Sequence, residues 1–287
     1  MKKLLIICIS LFLFVHAQAA QLSYTKSDSI KVVALLKEAH HLQPGSNFML
    51  HFARKLLDIP YVGQTLEQHS KEHLVVNLHQ FDCTTYVETV TALTLCAKNR
   101  QVLFSDYCHH LQDIRYTKGL VSYPHRNHYF TQWIISNTEN RLLHEICSPN
   151  PPFSARQRLN VNYMSTHPDK YPMLKGHAEW VRQIAQNEQE LMGRYFPYIP
   201  KEKVDNSQLL RSTIHDGDII AIVTNKKGLD IAHVGIAVWH SDGLHLLNAS
   251  SIHKKTIEEP MTMTAYMSKH PSQIGLRIVR LSKQTET

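Results

Sequence analysis

The sequence has little glycine and little proline, 10 and 12 among 287 residues. That excludes collagen-like, glycine-rich and proline-rich architectures. No repeat occurs at a solenoid or propeller period. No Cys-x-x-Cys pair is present, so neither a zinc knuckle nor a dithiol redox motif is indicated. No His-Glu-x-x-His occurs, and His177-Ala178-Glu179 has no Pro-Cys-x-x-Cys after it to complete a deaminase site. No lysine and arginine cluster is dense enough to argue for nucleic acid. No cofactor and no metal is expected.

The 43% hydrophobic and 19% charged content is that of a globular chain, too apolar for a disordered one. The N-terminus stands apart. Lys2 and Lys3 precede an apolar stretch from Leu4 to Val15, and Ala17-Gln18-Ala19 follows with small residues at the cleavage positions. This reads as a secretory signal peptide over 1–19, too short to cross a bilayer, which takes about 20 residues. The rest is expected to be one exported domain over 20–287, periplasmic or secreted, without stable membrane insertion and monomeric. The formal charge of +7 falls to +5 when Lys2 and Lys3 leave with the leader. A mildly basic exported protein suits an anionic surface such as a cell wall.

Periodicity predicts helices over 27–41, 47–57, 81–97 and 175–192. The last third predicts strands over 218–224, 232–239, 244–249 and 274–281, with a hairpin turn at Ser241-Asp242-Gly243. Helices first and an antiparallel sheet afterwards make an α+β domain. The region from about 100 to 205, with Pro149, Pro151, Pro152, Pro168, Pro172, Pro197 and Pro200, reads as a large loop-rich insertion.

Asp82 is placed to cap the third helix, with Cys83 in its first turn. Free backbone N–H groups and the positive dipole end there favour a thiolate and could hold an oxyanion. The plain alternative is a buried structural thiol. A cysteine nucleophile needs a base. His233 opens a strand, and alternation puts it on one face with Gly235 and Ala237, small residues that leave room for a helix carrying Cys83. The base needs an orienting group. With a Ser241-Asp242 loop Asn248 faces Gly235; with an Asp242-Gly243 loop it faces Ala237. Either register puts Asn248 on the face of His233.

Phe81-Asp82-Cys83 at a helix start, the Gly217-Asp218 strand, His233-Val234-Gly235-Ile236 and the polar residue before Ala249-Ser250-Ser251 resemble the NlpC-type cell-wall cysteine hydrolases. That resemblance implies a papain-like α+β fold, Cys83 as nucleophile, His233 as base and Asn248 as third member. Pro60-Tyr61-Val62-Gly63 is similar to the family's tyrosine segment, which makes Tyr61 a candidate for substrate or oxyanion binding. The third member is usually His in that family, serine usually follows the cysteine where Thr84 stands, and the spacing from Cys83 to His233 is long. Tyr61 to Glu67, Phe81 to Thr85, Arg126-Asn127-His128-Tyr129-Phe130 with Trp133, and Asn162-Tyr163-Met164-Ser165 resemble one branch, the N-acetylmuramoyl-L-alanine amidase-like proteins. This implies cleavage between the muramic acid lactyl group and L-Ala, on small muropeptides including anhydro forms. Asp82, Arg126 and His128 are further candidates for substrate contact. The rival readings are an endopeptidase of the same fold cutting between D-Glu and the diamino acid, a zinc amidase, and a non-catalytic wall-binding module.

Overall fold

The computed structural model describes residues 21–43 and 45–282; the expected leader lies outside the described residues. In chain order the elements are β1 (Leu22–Ser23), α1 (Lys26–His40), α2 (Phe48–Lys55), β2 (Leu74–Val75), α3 (Cys83–Lys98), α4 (Phe104–Arg115), α5 (Phe130–Glu139), β3 (Leu143–Ile146), β4 (Ala155–Arg158), α6 (Tyr163–Thr166), α7 (Ala178–Leu191) and β5 (Tyr195–Pro200). The last third adds α8 (Gln208–Thr213), β6 (Ile219–Thr224), β7 (Ile231–Trp239), β8 (Leu244–Ser250), β9 (Lys255–Glu258), α9 (Met263–Ser268) and β10 (Gln273–Leu281). The chain is thus a mixed α/β protein. Its main sheet has eight strands in the order β4-β5-β10-β6-β7-β8-β9, with β3 also paired to β10, and every pairing in it is antiparallel. Among the described residues no helix is long and apolar enough to cross a membrane.

Both faces of the sheet are covered. Ile219, Ala221, Val234, Ile236, Val238 and Leu247 pack on one side with α1 to α4. Ile220, Ile222, Ala237, Leu244 and Leu246 pack on the other with residues of α8 and α9. Two buried faces explain why β6 is a continuous apolar run rather than an alternating one.

Helix α3 starts where Asp82 caps it. The Asp82 carboxylate accepts the Thr85 N–H at 2.8 Å, and Thr85 Oγ1 in return accepts the Asp82 N–H at 3.0 Å. This reciprocal pairing satisfies donors that a helix start leaves open. The spacing of Tyr86, Val87, Val90 and Leu93 suggests one apolar face, yet twelve of the sixteen residues are buried, so the helix is enclosed on nearly all sides. Its polar side chains find partners inside: Thr94 donates to Val90 O at 2.8 Å, and Glu88 pairs with Arg115 at 2.7 Å.

The 100–205 region departs from its loop-rich expectation. It forms α4, α5 and α7 and contributes β3, β4 and β5 to the main sheet. Proline masked β5: Pro197 pairs with Arg156 and Pro200 with Gly275 inside the ladder, a setting that proline composition alone argues against. The residues over 100–205 also carry their own core, with Tyr123, Tyr129, Leu159, Met164, Ile184 and Leu191 buried together.

Arg115 and Glu88 are both buried, and Arg115 also donates to Val75 O at 2.7 Å. Arg115→Leu leaves Glu88 without its cation and should lower stability by about 3–5 kcal/mol in urea unfolding at pH 7. Adding Glu88→Leu to that variant should recover most of the loss, because the uncompensated charge goes with it.

Candidate active site

The β7–β8 hairpin turns through Ser241-Asp242: Trp239 pairs with Leu244, and the His240 N–H donates to Gly243 O at 2.9 Å. This is the register in which Asn248 lies opposite Gly235, a diagonal neighbour of His233. Asn248 is 2% exposed, and its Oδ1 lies 3.0 Å from His233 Nε2. Asn248 Nδ2 donates to Leu246 O at 3.2 Å, which fixes which end of the carboxamide faces the imidazole. An amide oxygen only accepts, so His233 carries its proton on Nε2 and keeps a lone pair on Nδ1. Nδ1 makes no hydrogen bond among the described residues.

The room expected beside Gly235 is used differently. A Cβ there would come within 2.7 Å of Leu246 Cγ and of Leu247 O, so the neighbouring strand fills that space. Helix α3 packs on the opposite face, its Val87 and Val90 sharing a core with Val234, Ile236 and Val238. Cys83 meets β7 at its edge instead. Ala237 donates to Asp218 O, on the β6 side. Alternation turns the Val234 N–H the other way, beyond Ile236↔Leu247 where the β7–β8 ladder stops. The Val234 N–H, the Cys83 N–H and the Thr84 hydroxyl each act on the Cys83 sulfur to favour its thiolate. The register of β7 against β6 shifts between Ile231 and His233, a bulge that sets the aim of His233.

Cys83 and His233 line one cleft of about 210 Å³ together with His128 to Phe130 and Asp230 to Val234. Burial pushes the Cys83 thiol up to about 12, and the Asp82 carboxylate beside it acts in the same direction. Burial lowers the His233 imidazole. The thiolate expected from the helix start is thus opposed by burial, which raises the thiol and lowers the imidazole and so works toward the neutral pair.

Tyr61 is half-buried. Its phenol is pushed up to about 12 by burial and then by the neighbouring Cys83 and Asp82, so it is a donor at neutral pH. The Tyr61 N–H donates to Lys254 O and the Val62 N–H to Phe81 O, each at 2.9 Å, which holds this segment beside the start of α3. Asp82 uses one carboxylate oxygen as the helix cap. Arg126 is not in the cleft lining. It is 7% exposed, bound to Glu67 and Glu72 at 2.7 Å each, and lies over the Tyr123 ring. His128 does line the cleft. Thr84, the Val234 N–H and Asp230 were not foreseen. Thr84 sits next to Cys83 in the chain, but a strand N–H left unpaired and a carboxylate three residues before His233 have no signature without the sheet.

Cys83, Cys96, Cys108 and Cys147 are all free thiols. Among the described residues no group of three or more His, Cys, Asp or Glu side chains is placed to hold a metal ion.

The family model described as AmiA-like, N-acetylmuramoyl-L-alanine amidase-like, matches residues 51–276. The match makes the chain a member of an amidase-like family of peptidoglycan hydrolases. It belongs to the AmiA-like, N-acetylmuramoyl-L-alanine amidase-like family. The chain is similar to a solved N-acetylmuramoyl-L-alanine amidase from Bacteroides uniformis, with 38% identity, a TM-score of 0.76, and coverage of 82% of this chain and 97% of that one. A structure described as a putative xylanase from Bacteroides fragilis is 36% identical, with a TM-score of 0.75 and coverage of 80% and 100%. A Legionella pneumophila protein at 21% identity, TM-score 0.65 and coverage of 91% and 97% shares the fold. No curated protein matches the chain.

A neutral thiol alkylates slowly. Iodoacetamide labelling of Cys83, followed by peptide mapping to separate it from exposed Cys147, should rise steadily with pH into the alkaline range. A plateau between pH 5 and 8, the mark of a preformed thiolate, would contradict the neutral pair.

Proposed function

We propose that this protein is an exported thiol amidase of the papain-like NlpC type, acting in the periplasm or the medium. It cleaves the amide between the N-acetylmuramoyl lactyl group and L-Ala in small muropeptides. The observation that carries the reading is the 3.0 Å contact of Asn248 Oδ1 with His233 Nε2, in a cleft shared with Cys83. It supplies a base with a fixed tautomer beside a sulfur at a helix start. The family membership and the amidase relative from Bacteroides uniformis support the substrate class.

In this mechanism the lactyl carbonyl approaches Cys83. His233 Nδ1 takes the thiol proton as the sulfur attacks, so the ionic pair exists only along the reaction path. The Cys83 N–H and the Tyr61 hydroxyl donate to the oxyanion. The His233 imidazolium, held by Asn248, returns the proton to the departing L-Ala nitrogen. Water then attacks the thioester with His233 as base, releasing the muramic acid and regenerating the thiol.

Mass spectrometry of muropeptides digested by the wild type should show an L-Ala-terminated peptide and an intact muramic acid, with no turnover by Cys83→Ala. A shortened stem would assign the protein as an endopeptidase instead. Full turnover by Cys83→Ala, or loss with chelator but not with iodoacetamide, would end the thiol mechanism. Asn248→Ala should reduce kcat by roughly 10²-fold while the fold persists. Because burial lowers the His233 imidazole, the acid limb of kcat/KM should fall below pH 6.5: the base works only when neutral, and a lowered pKa keeps it neutral to more acidic pH.

A further inference from the structure

Helix α1 is apolar on two sides, and the domain covers one of them. Val32, Leu35, Leu36 and Ala39 are buried in the helical core. The helical repeat brings Ile30, Val33, Ala34 and Lys37 together on the other side, with Lys26 one turn before Ile30. That side is open: Ile30 is 59% exposed, Ala34 is exposed and Val33 half-buried. A helix packed on a domain ordinarily shows a polar back. Here the back is a second apolar stripe with a lysine at each end.

Neighbouring segments widen it. The Tyr24 and Phe104 rings, with centroids 4.8 Å apart, line a groove of about 550 Å³ together with Ile30, Val33, Ala34 and Lys37. Leu22 and Leu103, next to these rings in the chain, are exposed as well. Single exposed apolar side chains need no explanation, but a contiguous group marks a surface that meets something.

The free charges on this face are of one sign. Asp28 turns inward, where it accepts the Thr25 and Leu78 N–H groups. Asp106 accepts the Leu103 N–H at 3.3 Å, and Glu38 is bound by Lys55. Lys26 and Lys37 pair with no carboxylate among the described residues. Lys26 even stands in the first turn of α1, where the helix dipole disfavours a cation. A second copy of the chain is a poor occupant, because a two-fold interface would set this patch against itself and the lysines against each other. An anionic apolar surface answers both the stripe and the cations. The chain also enters the domain here: only residues 16–21 separate Leu22 from the apolar stretch that ends at Val15. A bilayer that receives that stretch during export lies beside Leu22, Tyr24 and α1.

We propose that the face of Tyr24, Ile30, Leu103 and Phe104, rimmed by Lys26 and Lys37, is a docking surface for an anionic phospholipid bilayer. The apolar side chains enter the headgroup layer, and the lysines reach lipid phosphates with their stems along the apolar surface. No residue lining the Cys83 cleft belongs to this face. Docking is peripheral and leaves the chemistry of the cleft unchanged.

The test is sedimentation of the exported chain with vesicles of phosphatidylcholine alone and of equal parts phosphatidylcholine and phosphatidylglycerol. The chain should bind the mixed vesicles, and added salt should weaken that binding. Lys26→Gln with Lys37→Gln should weaken it by about tenfold or more. Ile30→Ser with Leu103→Ser should do the same, by about tenfold, through lost apolar burial. All four side chains are exposed, so the variants keep the fold, which an unchanged urea midpoint verifies. No binding to the mixed vesicles, equal binding to both kinds, or binding that survives both double variants overturns the assignment. So does a dimer in analytical ultracentrifugation that Ile30→Ser with Leu103→Ser dissolves while no vesicle is bound, an outcome that would give the face to a second copy.

Discussion

The enclosure of α3 is the constraint on which the rest of the molecule depends. A helix with most of its residues buried is held by α1, α2 and α4 on one side and by β7 and β8 on the other. Close packing of that kind leaves no slack for the helix to slide or turn. Its first residue is therefore delivered to one place, the edge of β7. Burial on all sides requires that the polar groups of the helix be answered from within, which is why Arg115 is drawn under α3 to Glu88. The side chain at the helix start is set by the same packing that makes the core.

The other half of the site depends on register. Strand side chains alternate, so a one-residue slip in the β7–β8 hairpin would send Asn248 to the α3 face and leave His233 without its acceptor. The two-residue turn at Ser241-Asp242 prevents this, and so does the fit of Leu246 against Gly235, where any Cβ would collide. The imidazole and its carboxamide thus belong to one rigid ladder, while the sulfur belongs to the helical layer. They meet where the ladder stops and a strand N–H is left over.

The electrostatics of the site balance opposing demands. Asp82 is needed to cap α3, yet its charge disfavours a thiolate on the next residue. The N–H groups of Cys83 and Val234 favour one, and burial decides against it. A sulfur that ionises only when a proton acceptor and a substrate are in place is sheltered from adventitious chemistry. Burial, and after it the Arg126 cation, lowers the imidazole of His128 in the same cleft. Two imidazoles thus share one cleft without repelling each other.

Much of this was legible in the chain. Asp82 as a cap, the helix behind Cys83, the apolar β6, the hairpin, and the shared face of His233 and Asn248 follow from local rules of capping, periodicity and turn chemistry. The strands between 143 and 200 were not legible, because β4 is largely polar and β5 is broken by prolines, and only pairing makes them strands, β3 and β5 on β10 and β4 on β5. Nor was the burial of Arg126, whose acidic partners stand more than fifty residues earlier. The sequence by itself determined which side chains stand at a helix start and on one strand face, since these are short-range properties of the backbone. Tertiary structure alone decided that the sulfur would share one cleft with His233 beside β7, and how strongly burial would oppose its charge, because desolvation and the ending of a ladder depend on what distant segments pack around them.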